Sequence, residues 1–212
     1  MPTGSASSSL PLSSLIPART NRALLVGQTG SGKTTLARWL LASRRYQVVI
    51  DGKGTLKWDG YEHAARLERL TKLKSARLIY RPSYDALQDV DEQERLWQWL
   101  YERGNTTVYV DETASVTDGD IYPYYYGACL MRGRERGIEL WSATQRPLRI
   151  PQVCLSESEN VYAFRLRLPQ DRQRVEQLTG IPARRIHALP KRHFLYAPQD
   201  GDVSPPLTLS LG

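Results

Sequence analysis

The chain has 212 residues, of which 41% are hydrophobic and 24% charged, a composition typical of a soluble globular protein with one domain of ordinary size. Lys and Arg number 29 against 22 Asp and Glu, and the resulting net charge of +7 favours a polyanionic partner. The sequence has no apolar run near the roughly 18 residues that span a bilayer, no secretory-signal pattern, and two isolated cysteines that exclude a disulfide framework, so we expect an intracellular protein.

The composition divides the chain into three parts. Residues 1–21 are rich in Ser and Pro and carry one charge, which predicts a flexible or loosely docked N-terminal arm. Residues 22–198 alternate short β-branched runs with helical segments, which predicts one α/β domain. Residues 199–212 predict a C-terminal loop and tail.

The predicted elements of the central part follow one another in a regular order. The predicted strands are 23–26, 47–51, 76–82, 106–112, 137–144, 160–168 and 193–198. The predicted helices are 34–45, 61–72, 91–104, 169–178 and 181–189. This alternation predicts a mainly parallel central sheet flanked by helices on both faces.

A phosphate-binding loop follows the first predicted strand. The segment GQTGSGKT at 27–34 fits the pattern G-x-x-x-x-G-K-[ST], in which glycines allow backbone N–H groups to surround a phosphate. The helix that follows adds its positive N-terminal end. Lys33 can then reach the β- and γ-phosphates of ATP, and the Thr34 hydroxyl can bind Mg²⁺. The predicted nucleotide-binding residues are Gly27, Gln28, Thr29, Gly30, Ser31, Gly32, Lys33, Thr34 and Thr35.

Two adjacent acids end the strand VYVDE at 108–112. An aspartate at this position can hold Mg²⁺, and a neighbouring glutamate can polarise the attacking water. We therefore assign Asp111 to the metal and Glu112 to the general base.

Further polar residues end two other predicted strands. Gln145 follows the strand of GIELWSATQRP, Asp51 ends the strand QVVID, and Lys53 follows that strand. Because ligands bind at the carboxyl ends of parallel strands, we expect Gln145 to contact the γ-phosphate and the attacking water. Asp51 and Lys53 are weaker candidates for the same crevice.

The combination of VYVDE and GRERGIELWSATQRP resembles the FtsK–HerA superfamily of DNA-pumping ATPases, in which a G-R-x-x-G-I segment leads into a strand that ends A-T-Q-R-P. The small size and the segment QLTGIPARRIHALPKRHFLYAP are similar to the minimal genome-packaging ATPases of icosahedral, membrane-containing viruses. The resemblance covers roughly residues 22–198. It implies a RecA-like core of the ASCE class of P-loop NTPases and supports Gln145 as a sensor of the nucleotide.

The resemblance also implies an arginine finger, which one subunit of a ring supplies to the nucleotide of its neighbour. Arg134 matches the arginine that precedes G-I in the family, and Arg136 is the second candidate. A simpler interpretation is an arginine at the end of a helix, where it offsets the helix dipole.

The expected function is therefore an ATP-driven translocase of double-stranded DNA, most similar to the packaging motor of a virus or prophage. We expect a homo-oligomeric ring of five or six subunits, a capsid vertex or viral membrane protein as a further partner, and a location in the host cytoplasm or the virion. No transmembrane segment is expected. Two alternatives share the phosphate loop: a small-molecule or nucleotide kinase, and a nucleotide-gated switch with little hydrolysis, which would not require Glu112.

Overall fold

The computed structural model describes residues 11–208, which form nine strands and eight α-helices. The strands are β1 Ala23–Val26, β2 Gln47–Ile50, β3 Glu62–Ala64, β4 Arg77–Tyr80, β5 Thr107–Val110, β6 Glu139–Thr144, β7 Asn160–Phe164, β8 His193–Pro198 and β9 Leu207–Thr208. The helices are α1 Lys33–Leu41, α2 Leu67–Leu70, α3 Tyr84–Gln88, α4 Val90–Arg103, α5 Tyr124–Arg132, α6 Gln152–Ser156, α7 Pro169–Thr179 and α8 Ala183–Ala188. Short 3-10 helices span Leu12–Leu15, Thr113–Ser115, Gly133–Arg136 and Pro147–Arg149.

All nine strands belong to one sheet, in the order β3-β4-β2-β5-β6-β1-β7-β8-β9. The seven strands from β3 to β7 in this order pair in parallel, whereas β8 and β9 are antiparallel additions at one edge. Strand β6 lies between β1 and β5, which is the RecA-like arrangement of the ASCE class. The predicted α/β fold with a mainly parallel sheet is confirmed.

The core lies on both faces of the sheet, because alternate residues of each strand point to opposite sides. In β1, Leu24 and Val26 pack in the larger hydrophobic cluster, and Ala23 and Leu25 pack in the smaller one. Helices α4 and α5 cover the first face, and α1 covers the second with Leu36, Ala37, Leu40 and Leu41. Strands that are buried on both faces read as continuous apolar runs, as in ALLV and QVVI.

The predicted helix over 61–72 is wrong. The segment contains the edge strand β3, followed by the single helical turn α2. The sequence EHA carries no strand signal of its own, and β3 forms because β4 offers a free parallel edge, to which it pairs over three residues. Helices α3 and α6 and strand β9 are also additions to the predicted elements.

Parts of both predicted terminal segments pack on the core. Leu15 is buried, and the Tyr162 hydroxyl donates a hydrogen bond to its carbonyl. Near the other end, the Tyr196 N–H donates to the buried Ser204 Oγ at 2.8 Å, and β9 pairs with β8. Residues 1–10 and 209–212 lie outside the described residues.

Between residues 11 and 208, the longest α-helix spans 14 residues. None of the helices in this range combines the length and the apolar character that crossing a membrane requires.

Candidate active site

The phosphate loop connects β1 to α1 at the carboxyl edge of the sheet. Its first residues are held by neighbouring strands, since the Gly27 N–H donates to the Thr144 carbonyl at 3.1 Å and the Gln28 N–H to the Arg165 carbonyl at 3.0 Å. Gly30 and Gly32 adopt positive φ angles of 70° and 113°. A Cβ on Gly32 would lie 3.2 Å from the Phe164 ring, so this turn is closed to larger residues.

Lys33 is buried under the loop that it follows. Its Nζ donates to the carbonyls of Gly27 at 2.6 Å and Gln28 at 3.2 Å. Burial lowers the pKa of Lys33 to about 8, against the opposing effect of the nearby carboxylates of Glu112 and Asp111. A bound phosphate would stabilise the charged form of this buried ammonium group, so the loop fits a nucleotide.

Asp111 lies at the end of β5, directly beside the start of α1. Its Oδ1 accepts hydrogen bonds from the Thr34 hydroxyl at 2.9 Å and from the Tyr109 hydroxyl at 2.9 Å. Burial raises the pKa of Tyr109 well above its ordinary value, which keeps this hydroxyl a donor. A hydroxyl and a carboxylate in contact at the loop are a donor set that fits Mg²⁺.

Glu112 is held from three directions. Its Oε1 accepts from the Thr144 hydroxyl at 2.8 Å and from the Gln145 N–H at 3.3 Å, and its Oε2 pairs with the Lys53 ammonium at 3.2 Å. These contacts join the carboxyl ends of β2, β5 and β6 around a single carboxylate.

Gln145 reaches the phosphate loop from the end of β6. The Thr29 hydroxyl donates to its Oε1 at 2.5 Å. The structure therefore brings together the phosphate loop, Asp111, Glu112 and Gln145, which the sequence analysis placed in one crevice.

Arg134 lies elsewhere, in the 3-10 helix that precedes the amino end of β6. Its guanidinium pairs with Glu159 of the same chain, and its side chain is 57% exposed. Arg136 donates to the carbonyls of Tyr101 at 2.6 Å and Glu102 at 3.1 Å. Neither arginine lies at the phosphate loop of its own chain.

The sequence analysis missed several contacts of the site. It ranked Lys53 low, yet Lys53 contacts Glu112, whereas Asp51 is fully buried and pairs with Arg81 at 3.0 Å. It gave Thr144 and Tyr109 no role. The signal for both was present, because Thr144 ends a strand next to Gln145, and Tyr109 lies two residues before Asp111 and so on the same face of β5.

A cavity of about 550 Å³ opens beside the phosphate loop. Phe164, Arg192 and Phe194 line it opposite the loop residues Gly30 to Thr35. Arg192 has a φ of 64°, which is uncommon for a residue with a side chain. The sequence analysis gave no indication of this cavity.

The strand order and the site together define a P-loop NTPase with a RecA-like core. No protein-family model matches the chain. The chain is 31% identical over 194 residues to the DNA packaging ATPase P9 of Enterobacteria phage PRD1, a match that covers 85% of this chain and 83% of the relative. It is 25% identical over 193 residues to Protein P9 of Pseudoalteromonas phage PM2, covering 84% and 85%.

Among solved structures, the fold is similar to the genome packaging NTPase B204 from Sulfolobus turreted icosahedral virus 2 in complex with AMPPCP. The TM-score is 0.73 at 19% identity, and the match covers 89% of this chain and 98% of that one. The chain belongs to the viral DNA-packaging ATPases of the FtsK–HerA superfamily.

Proposed function

We propose that the chain is the ATP-driven motor that translocates double-stranded DNA during the genome packaging of a virus or prophage. The observation that carries this proposal is the convergence on the phosphate loop of Asp111, Glu112 and Gln145 from two neighbouring strands. A kinase needs no such glutamate and glutamine pair, and a switch needs no oriented base.

The phosphate loop binds ATP in this proposal. Lys33 exchanges its hydrogen bonds to two backbone carbonyls for contacts with the β- and γ-phosphates. The negative charge of the phosphates then stabilises the charged form of the buried ammonium group. Thr34 and Asp111 would hold Mg²⁺, which neutralises charge on the phosphates when bound. The cavity beside the loop gives the rest of the nucleotide a place next to Phe164 and Phe194.

Glu112 acts as the general base on the attacking water. Its carboxylate is oriented by the Thr144 hydroxyl and the Gln145 N–H, so the proton acceptor is already positioned before the nucleotide arrives. The Lys53 ammonium contacts Oε2 of Glu112, and we propose that the γ-phosphate draws Lys53 away from this carboxylate. Gln145, which contacts Thr29 of the loop, reports the state of the γ-phosphate to β6.

Arg134 is the proposed finger for a neighbouring subunit. It is exposed and lies at the amino edge of the sheet, far along β6 from Gln145, so it can serve a second copy more readily than its own nucleotide. This role requires a head-to-tail ring, for which we propose five or six subunits. A capsid vertex or a viral membrane protein would then anchor the ring, in the host cytoplasm or the virion.

Duplex DNA is the proposed substrate, and its effect on ATP hydrolysis tests the function. Linear duplex DNA should stimulate hydrolysis, and the parent protein should displace a third-strand oligonucleotide from a triplex placed on that duplex. The variant Glu112→Gln is the matched control, since it should bind ATP and DNA yet displace nothing. Binding should weaken steeply with salt because Lys and Arg release counterions from DNA phosphates.

Two results would redirect the proposal. Stimulation by a small phosphate acceptor, and none by duplex DNA, would assign a kinase. Tight binding of ATP with hydrolysis that neither DNA nor the Glu112→Gln substitution changes would assign a nucleotide-gated switch.

A further inference from the structure

One surface of the molecule concentrates basic side chains. Between residues 66 and 77 there are five basic residues and a single acid, Glu68. The five are all exposed, and their side chains form no ion pair and no hydrogen bond with another residue in the range 11–208. They are Arg66, Arg69, Lys72, Lys74 and Arg77. Arginines elsewhere are often bound internally, as in the contacts of Arg172 with the Leu166 and Arg167 carbonyls.

The segment around α2 presents three of these cations in a row. α2 is a single α-helical turn, in which the Leu70 N–H donates to the Arg66 carbonyl at 3.0 Å, and further backbone bonds join Arg66 to Arg69 and Arg69 to Lys72. Residues three apart on a helix are neighbours on its surface. Arg66, Arg69 and Lys72 therefore form one row, which we call the cationic row.

The opposite side of the same segment anchors it. Leu67 is 5% exposed, Leu70 is fully buried, and Leu73 packs against the same large hydrophobic cluster. Because the leucines recur with the same period of three, the cationic row is held on a rigid support rather than on a loose loop. An open cleft of about 770 Å³ runs along it, lined by Ala65, Arg66, Glu68, Arg69, Lys72 and Leu73.

The three cations of the row form no ion pair within residues 11–208 and are evenly spaced, as are the phosphates of a regular polyanion. At about 1.5 Å of rise per residue, the row extends roughly 9 Å. This length corresponds to the axial rise of about three phosphates on one strand of a duplex, at about 3.4 Å each. Contacts of this kind read the phosphate backbone and not the base sequence, which suits a motor that moves along any DNA.

We propose that the cationic row is a contact surface for the phosphate backbone of double-stranded DNA. The inference rests on the proposed DNA-translocating function and adds to it the surface that holds the substrate. Lys74 and Arg77 extend the same surface towards β4. At the carboxyl end of β4, Arg81 pairs with Asp51, which lies two residues from Lys53 and so next to the active site.

The test compares two variants of the full chain that lose the same charge. The row variant is Arg66→Gln/Arg69→Gln/Lys72→Gln. The control variant is Arg45→Gln/Arg95→Gln/Arg132→Gln, which removes three exposed arginines scattered over the surface. Affinity for a short fluorescent DNA duplex is measured over a series of salt concentrations, together with ATP hydrolysis with and without DNA.

The row variant should bind the duplex about tenfold or more weakly than the parent at low salt. The slope of log affinity against log salt should become shallower by about 2 to 3, because each lost phosphate contact removes about 0.9. Hydrolysis without DNA should stay within about twofold of the parent, and stimulation by DNA should be lost. The control variant should keep most of the affinity and of the slope. If the row variant misfolds, Arg69→Gln alone should still reduce the slope by about 1.

Three results would overturn the inference. Equal losses in the row variant and the control variant would show a general charge effect and no local contact. Loss of binding to vesicles of anionic phospholipid, with duplex affinity unchanged, would assign the row to a membrane surface. A parent protein that neither binds duplex DNA nor responds to it would instead remove the proposed function, and the inference with it.

Discussion

The two edges of the parallel sheet use charged residues in opposite ways. At the carboxyl edge, Lys33, Asp111 and Glu112 surround an open phosphate loop, and their contacts can be exchanged for those of a ligand. At the amino edge, the buried charged residues are paired within the chain, as in Arg44 with Glu139 at 2.7 Å. The comparison shows that charge alone does not mark function here. We expect function where charged groups can exchange their internal contacts for those of a ligand.

Glu159 is the centre of the amino edge. It accepts hydrogen bonds from the Arg22 backbone N–H at 2.7 Å and from the Arg22 guanidinium at 2.6 and 3.2 Å, and Arg134 pairs with it from outside. Burial opposes its ionisation, but the bonds from Arg22 lower the pKa of Glu159 below its ordinary value. Because Arg22 already satisfies this carboxylate, Arg134 is free to leave it at little cost.

The largest expected effect comes from Arg134, the outer partner of Glu159. Arg134→Ala should reduce turnover about 10³- to 10⁵-fold if the side chain is the finger of a neighbouring subunit. The free energy of unfolding should change by less than about 1 kcal/mol, because the Arg134 side chain is 57% exposed and Arg22 still binds both oxygens of Glu159. Steady-state hydrolysis and urea denaturation of the same preparation measure the two quantities.

Mixed rings provide the control for the finger. Arg134→Ala subunits and Glu112→Gln subunits should each be nearly inactive, and mixing them should restore part of the activity, since some interfaces then join an intact site to an intact finger. The restored activity should depend on protein concentration. Full activity of Arg134→Ala alone would end this assignment, and Arg136 would be the next residue to test.

The second effect concerns the carboxyl edge alone. Glu112→Gln keeps the shape of the side chain and its bond from Thr144, but removes the proton acceptor. Turnover should fall about 10²- to 10⁴-fold while ATP affinity stays near that of the parent, as equilibrium binding of a fluorescent ATP analogue would measure. A near-parental rate would mean that another group activates the water.

Much of the fold follows from local sequence. Runs such as ALLV and QVVI are typical of a strand buried on both faces, and both are found as strands. The error over residues 61–72 has a physical reason. Strand β3 forms because it pairs with β4, and its own residues have no strong preference for a strand. The leucines at intervals of three that follow it are a pattern typical of a longer helix than α2.

The site could be predicted only in part for a similar reason. The phosphate loop and the acids after β5 are local patterns, so their positions follow from spacing. The contact of Lys53 with Glu112 depends on β2 lying next to β5, and a single strand does not specify its neighbours. The cavity beside the loop brings together residues more than 150 positions apart, and no local signal reports such a contact.

The third effect is the loss of the Arg22–Glu159 ion pair at the amino edge. Arg22→Ala leaves the carboxylate of Glu159, which is 5% exposed, without its main partner, and should lower the free energy of unfolding by about 3 to 5 kcal/mol. Arg134→Ala is the matched variant, since it removes the outer partner of the same carboxylate. Urea denaturation at neutral pH measures both. Equal losses of unfolding free energy in the two variants would contradict the proposal that Arg22 is the main partner of Glu159 and Arg134 a minor one.

The smallest effect is an increase in stability, and it comes from the most important residue of the carboxyl edge. Lys33 has its pKa lowered to about 8, from an ordinary value near 10.5, because its ammonium group is buried. Below pH 8 both the folded and the unfolded chain carry the charge, so the folded chain bears the full cost. Lys33→Met should therefore stabilise the nucleotide-free protein at pH 7 by about 1 to 3 kcal/mol, while it abolishes ATP binding.

The pH dependence separates this cause from a packing effect. Between about pH 8 and 10.5 the folded parent releases the proton and the unfolded parent retains it, so the stability of the parent rises with pH relative to the variant. The difference between the two unfolding midpoints should consequently narrow over this range. Addition of ATP should stabilise the parent and leave Lys33→Met unchanged. A variant that is less stable than the parent at pH 7, by an amount that does not vary with pH, would show that the contacts of Lys33 with the Gly27 and Gln28 carbonyls stabilise the loop. In that case the carboxyl edge would resemble the amino edge, with its charges already satisfied inside the chain.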